Sequence, residues 1–307
     1  MYYFIVNPAS GSGRGQAVWK TIEEELKQLG ISYRAFLLAG PGEAAKLAEG
    51  LSNPTAPITL VAVGGDGTIN EIINGLSSFE NITFACIPTG SGNDFVRGLD
   101  LERDPLKALH VILHPERIEK INIGQVSCDT LSAPHAFAVS SGFGYDAAVC
   151  DLVQRSKVKK ILNFFHWGKL AYLVTALWLL LTMKRRTVTV SADGQKDVTF
   201  RNAYFAAAMN LRYEGGGFMF CPDAHFSDDM LDLIIAYDIS RLRALMLLPL
   251  ALFGKHVGRS GIHILRCHEV SVTASDTFCV HTDGEIPCFA KRATFGIHKE
   301  KLAVILR

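Results

Sequence analysis

The run Gly64-Gly65-Asp66-Gly67-Thr68, coming straight after the apolar stretch 58–63, constrains this chain more than any other feature. An unbroken set of apolar and β-branched residues of that length reads as a buried strand. The glycines end the strand and bare backbone N–H groups, because a residue without Cβ turns sharply and lets other groups come close. A loop of this kind wraps around phosphate oxygens. Asp66 at its centre would repel a phosphate unless a divalent cation or a set of donors stands between them. The run therefore reads as a meeting point of nucleotide phosphate and Mg²⁺. Taken alone, it reads equally as an ordinary glycine turn with a capping Asp.

The surroundings decide how to weigh that loop. Residues 3–6, 31–38, 58–63 and 83–87 have strand character. Between them, 16–29 carries Trp19, Ile22, Leu26 and Leu29 at helical spacing, 42–51 is helical, and a helix starts at 70, directly after the glycine loop. This order predicts an α/β nucleotide-binding domain over residues 1–120, a parallel sheet with helices on both faces. From about residue 118 the texture changes. Strands are expected at 118–123, 136–139, 187–191, 198–209, 231–236, 269–274, 277–281 and 303–306, interrupted by helices near 161–183 and 241–254. That predicts a mainly antiparallel β-sandwich domain over 121–307. It leaves open on which domain the C-terminal tail packs.

Composition narrows the class. Of 307 residues, 49% are hydrophobic and 20% charged, enough for a full core and too apolar for bulk disorder. A net charge of +1 argues against a nucleic-acid partner. Seven scattered cysteines without a CxxC pair fit a reduced, cytoplasmic setting. No secretory signal is expected, because Met1 runs straight into strand-like Tyr2-Tyr3-Phe4. The apolar stretch 161–183 is long enough to span a bilayer. His166 and Lys169 interrupt it, and basic residues flank both ends, which opposes the charge asymmetry of a true span. A buried or interfacial helix is expected, with the flanks against anionic headgroups at the inner membrane face.

Two further polar loops follow strands. Asn7-Pro8-Ala9-Ser10-Gly11-Ser12-Gly13 precedes the first helix, and Pro88-Thr89-Gly90-Ser91-Gly92-Asn93-Asp94 precedes a helix expected near Phe95. Each alone is also a common capping sequence. In a parallel sheet, however, loops 7–13, 64–68 and 88–94 all lie at the carboxyl ends of strands, where ligands bind.

These loops, with Glu71, Asn74 and Gly75 continuing the central one, resemble the three signatures of the diacylglycerol kinase catalytic-domain superfamily, in its soluble bacterial branch. The resemblance continues in order through Ser141-Gly-Phe-Gly-Tyr-Asp146, Gly215-Gly-Gly217, Pro222-Asp-Ala224, Leu231-Asp232 and Asp283-Gly-Glu285. It implies an ATP- and Mg²⁺-dependent lipid kinase. Asn7, Pro8, Ala9, Ser10 and Gly11, then Gly65, Gly67, Thr68, Asn70 and Glu71, then Ser91 and Asn93 match nucleotide-contacting positions. Asp66 and Asp94 match acids that organise Mg²⁺ and phosphate through water. Glu285 matches the general base that takes the proton of the lipid hydroxyl. Without the other motifs, Asp283-Gly284-Glu285 reads as a hairpin turn. A structural Mg²⁺ is implied at Asp228, with backbone oxygens at His225 and Met230.

Three positions depart from the family pattern: Asn122 where many relatives carry Asp, Leu38 where Thr is frequent, and Asp229 where Gly is usual. The expected acceptor is diacylglycerol, reached at a membrane surface. Trp178 to Leu181, Phe164, Phe165, Trp167, Phe143, Tyr145, Phe218 and Phe220 are candidates for the apolar cleft, and equally for core. An NAD kinase or phosphofructokinase shares the central loop, and a nucleotide- or lipid-binding regulator without catalysis shares the fold. A homodimer is compatible with such a chain.

Overall fold

A computed structural model describes residues 1–155 and 177–307. The chain divides into two compact units, residues 1–123 with 299–307, and residues 124–298.

The first unit runs β1 (Tyr2–Val6), α1 (Arg14–Gln28), β2 (Tyr33–Leu37), α2 (Glu43–Leu51), β3 (Ile58–Gly64), α3 (Asp66–Gly75), β4 (Ile82–Pro88), α4 (Asp94–Gly98), α5 (Pro105–Leu113) and β5 (Ile118–Ile121). Alternating strands and helices drive a parallel sheet, since each crossover must return the chain to the same end. The sheet order is β2-β1-β3-β4, followed by the C-terminal strand Leu302–Ile305 and then β5. The C-terminal strand runs parallel to β4 and antiparallel to β5. The tail therefore completes the first sheet. Side chains alternate along each strand. Phe4, Val6, Val61, Val63, Ala85 and Ile87 meet Trp19, Ile22 and Leu26 of α1 and Leu109 and Ile112 of α5. Helices α2 and α3 pack together, with α3 against β3, and cover the other face.

The second unit runs β6 (Gly124–Cys128), β7 (His135–Phe137), β8 (Ser140–Gly144), α6 (Tyr145–Arg155), β9 (Arg186–Ala192), β10 (Val198–Ala203), β11 (Phe205–Met209), β12 (Tyr213–Glu214), β13 (Phe218–Met219), β14 (Leu231–Ala236), α7 (Arg241–Ala251), β15 (Ile262–Cys267), β16 (Glu269–Thr282) and β17 (Glu285–Ile297), and the C-terminal strand is β18. Its large sheet is antiparallel, in the order β15-β14-β11-β8-β16-β17-β6-β7, with β9 and β10 attached to β16. Strand β16 pairs with β9 through its first half and with β8 through its last residues. Register shifts within it let one strand change neighbours, as bulges do. Phe143, Val190, Phe200, Leu233, Val272 and Phe295 fill the resulting core.

The α/β first domain and the antiparallel second domain agree with the sequence reading. Some elements differ. Residues 118–123, expected as the first strand of the second domain, end in β5 of the first sheet, and Gly124 opens β6. The expected strand 198–209 breaks between β10 and β11, where Asn202 takes a positive φ of 52°. Strands expected at 269–274 and 277–281 are one bulged strand. The stretch 156–176, including Phe164, Phe165 and Trp167, lies outside the described residues. No helix among the described residues is long and apolar enough to cross a membrane.

Candidate functional site

In the first unit the three expected loops interlock. Asn7 N–H donates to the Val63 carbonyl and Thr89 N–H to the Gly64 carbonyl, each at 2.9 Å, so the sheet ladder carries the loops off β1, β3 and β4 side by side. Asn7 Nδ2 then donates to Thr68 Oγ1 at 3.0 Å, and Asn7 Oδ1 accepts from Ala9 N–H at 3.1 Å. Ser10 Oγ shares a short hydrogen bond with the Oγ1 of fully buried Thr89. Backbones touch at two points. A Cβ on Gly90 would lie 2.6 Å from the Gly65 Cα, and one on Gly11 would lie 2.2 Å from the Thr89 carbonyl oxygen. Gly11 also sits at φ +57°. Gly11→Ala is therefore expected to cost roughly 2 kcal/mol in urea denaturation. Gly13 has a positive φ but no atom near its missing Cβ, so Gly13→Ala should cost only about 1 kcal/mol. Equal losses would show that the close approach to Thr89 is not what excludes a side chain.

Helix α3 begins at Asp66, earlier than residue 70, so Asp66 to Thr68 form its first turn. An acid there faces the positive end of the helix dipole. Both Asp66 oxygens also accept backbone N–H groups of the third loop, from Phe95 and Asp94, each at 3.1 Å. Desolvation raises the Asp66 pKa, and those N–H groups pull against it. Asp94 is buried and opens α4, with Arg97 Nε 3.8 Å from its Oδ1. A Cβ on Gly92 would lie 3.1 Å from Asp66 Oδ2 and 3.8 Å from Asp94 Oδ2. The two carboxylates thus border one shared space beside Gly92, a cradle that fits an oxygen-loving dication.

The other first-unit positions spread out. Ser91 is exposed and Pro8 half-buried. Asn93 Nδ2 ties its own loop at the Gly90 carbonyl, while its buried Oδ1 has no hydrogen-bond partner among the described residues. Asn70 is turned inside α3 onto Asn74, and Glu71 accepts from Gly42 N–H ahead of α2. Leu38 continues from β2, and Asn122 is fully buried. Arg14, not singled out from the sequence, reaches the Pro88 carbonyl at 3.5 Å. Only its place in a polar strand-to-helix loop could have flagged it.

In the second unit Asp283 and Gly284 join β16 to β17 as a two-residue turn. Both have positive φ, 51° and 91°, and Thr282 pairs with Glu285 across it. That is the Asp-Gly type I′ hairpin turn. Asp283 does more than turn. Its carboxylate accepts from the N–H groups of Ala138, Val139 and Ser140 at 2.8–3.0 Å, which pins the hairpin tip to the start of β8. Glu285 is exposed at the first position of β17.

The implied structural-metal segment is occupied by an ion pair. Asp228 Oδ1 accepts from Met230 N–H at 3.0 Å, and Arg266 donates to Asp228 Oδ2. Asp232 beside it is lifted to about 6 by burial, against the pull of Arg266. His225 Nδ1 faces Ser227 Oγ at 3.1 Å. With a guanidinium on its second oxygen, Asp228 in this geometry fits a cation of the protein better than Mg²⁺. Asp229 takes φ +63°, the conformation a glycine adopts without strain.

A cluster that the sequence did not reveal lies in the same unit. His281 Nε2 is 3.0 Å from Asp146 Oδ2 and 3.5 Å from Glu214 Oε1. Burial lowers the His281 pKa, but Glu214 and Asp146 overcome that and hold it at about 9. Residues so far apart in the chain carry no local signal. Among the cleft candidates, Phe143 is core, stacked on Phe278, whereas Phe218 and Phe220 stack half-buried on each other.

Comparison with known proteins agrees with this architecture. Residues 1–126 match the diacylglycerol kinase catalytic domain, and residues 138–304 match the YegS C-terminal NAD kinase beta sandwich-like domain. The chain belongs to the diacylglycerol kinase-like family that joins these two domains. It is 29% identical over 93% of its length to the protein of Bacillus subtilis (strain 168) named "Putative lipid kinase YtlR", covering 93% of that protein. It is 28% identical to the diacylglycerol kinase of the same organism, covering 92% of this chain and 88% of the relative. A solved structure titled "A putative diacylglycerol kinase from Bacillus anthracis str. Sterne" superposes with a TM-score of 0.77 at 21% identity, over 99% of this chain and 96% of that one, and shows the fold alone.

Proposed function

We propose that this kinase-family chain transfers the γ-phosphoryl group of ATP to a lipid hydroxyl, with diacylglycerol as the first candidate and phosphatidic acid as product. The observation that carries the reading is the cradle at Gly92, where Asp66 and Asp94 turn carboxylate oxygens toward one space. ATP brings the Mg²⁺ that the cradle suits, and the dication neutralises charge on the phosphates. Backbone N–H groups of loops 7–13 and 64–68 face the phosphate oxygens, and Asn7, Ser10, Thr68 and Thr89 hold those loops in register. Such positioning supplies most of the catalysis in phosphoryl transfer. Glu285 accepts the proton of the attacking hydroxyl, as a carboxyl group held by its hairpin at the exposed head of β17 can do.

A lipid kinase must also meet a membrane, and α7 with the turn after it supports that reading. Leu242, Met246 and Phe253 are 68%, 58% and 70% exposed. Arg241, Arg243, Lys255 and Arg259 are exposed around them. Apolar tips rimmed by cations suit an anionic bilayer surface. Phe253→Glu is expected to lower partitioning onto phosphatidylglycerol-containing vesicles tenfold or more, since inserting one Phe is worth about 1.5–3 kcal/mol. Unchanged co-sedimentation would remove α7 from the membrane face.

The acceptor is tested by comparing kcat/KM for diacylglycerol, monoacylglycerol, a sphingoid base and an isoprenoid alcohol in mixed micelles with ATP and Mg²⁺. Diacylglycerol is expected to lead. A preference for another alcohol would keep the kinase reading and replace the substrate, and NAD as sole acceptor would overturn both.

A further inference from the structure

We propose that Asp146, Glu214 and His281 bind a first-row divalent transition cation at a site separate from the nucleotide loops. The site stands whether or not the chain phosphorylates a lipid. His281 Nε2, Asp146 Oδ2 and Glu214 Oε1 come from β16, the start of α6 and β12, and one ligand atom from each lies within 4.8 Å of the others. Two ligands at right angles around a metal with bonds near 2.1 Å stand about 3.0 Å apart, and tetrahedral ones about 3.4 Å. The distances from His281 Nε2, 3.0 Å and 3.5 Å, match those spacings.

A second observation is independent of those distances. The Asp146 side chain is 9% exposed, and among the described residues its buried Oδ1 has no hydrogen-bond partner. A carboxylate oxygen left this way gains from a cation beside it. The His281 side chain has no exposure, while Asp146 and Glu214 at 9% and 12% mark the side from which an ion can enter.

An imidazole with two carboxylates favours Zn²⁺, Mn²⁺, Fe²⁺ or Co²⁺ over Mg²⁺, and three protein ligands leave a position open. Gly215, Gly216 and Gly217, all at positive φ, form the turn after Glu214 and present it on the short β12–β13 hairpin. His281 precedes the turn that carries Glu285. A bound ion would therefore tie that hairpin to α6 and β12.

The test is titration of the nucleotide-free full chain, stripped with chelator, with CoCl₂ while following visible absorption. One equivalent with the d–d bands of a histidine-bound ion is expected. Glu214→Gln and His281→Gln should each weaken binding tenfold or more, with circular dichroism unchanged, and Asp228→Asn should leave it intact. If His281→Gln does not fold, Glu214→Gln decides, since Glu214 lies on a short surface hairpin. No absorption at millimolar Co²⁺, equal binding by wild type and Glu214→Gln, or loss of binding in Asp228→Asn instead would overturn the site.

Discussion

Glu285→Gln is expected to lower kcat for lipid phosphorylation by about 10²- to 10⁴-fold, the range for losing a positioned general base. Glutamine keeps the shape and the strand but cannot take a proton. ATP affinity should stay within about twofold of wild type, because the nucleotide loops belong to the other compact unit. Stability should also hold, since the residue that pins the hairpin is Asp283, through three backbone N–H groups. Asp283→Ala would confuse the test by loosening the turn. Rapid-quench kinetics with labelled ATP, run beside calorimetric ATP titration, separates the two steps. Equal loss of transfer and ATP binding would show that Glu285 is not the base.

Asp66 should give the other large effect, and two substitutions divide its roles. In Asp66→Ala the N–H groups of Asp94 and Phe95 lose their acceptors. Each such loss costs about 1–3 kcal/mol when the donor is left buried, so the chain should lose roughly 2–4 kcal/mol in denaturant unfolding. Asp66→Asn keeps one carbonyl oxygen and should recover part of that stability. Neither restores the negative charge in the cradle, so transfer should fall by about 10³-fold or more in both. Recovery of activity in Asp66→Asn along with stability would make Asp66 a loop clamp and nothing else.

The two-domain plan was legible because its signals are local. Buried strands such as 58–63 and the amphipathic stretch with Trp19, Ile22 and Leu26 appear as runs or periods in the chain. Loops 7–13, 64–68 and 88–94 were legible because parallel topology forces the ends of β1, β3 and β4 together. Strand β17 was not, since Pro287, Lys291 and Arg292 blur its alternation and its pairing with β16 is a tertiary contact. The start of α3 at Asp66 was hidden by glycines, which read as loop but here give way to a helix whose first acid is held by a distant backbone. The double use of Asp66, the clamp made by Asp283 and the His281 cluster all depend on partners remote in sequence. Arg266 on Asp228 belongs with them, because no spacing rule relates residues that meet only across a sheet.

Phosphoryl transfer itself is the most direct measurement. Purified chain, γ-labelled ATP, Mg²⁺ and diacylglycerol in mixed micelles should move label into the organic phase, with transfer lost on omitting lipid or Mg²⁺ and abolished in Asp66→Asn. Label that stays in water with every lipid alcohol tried, or that appears on NAD, would contradict the account.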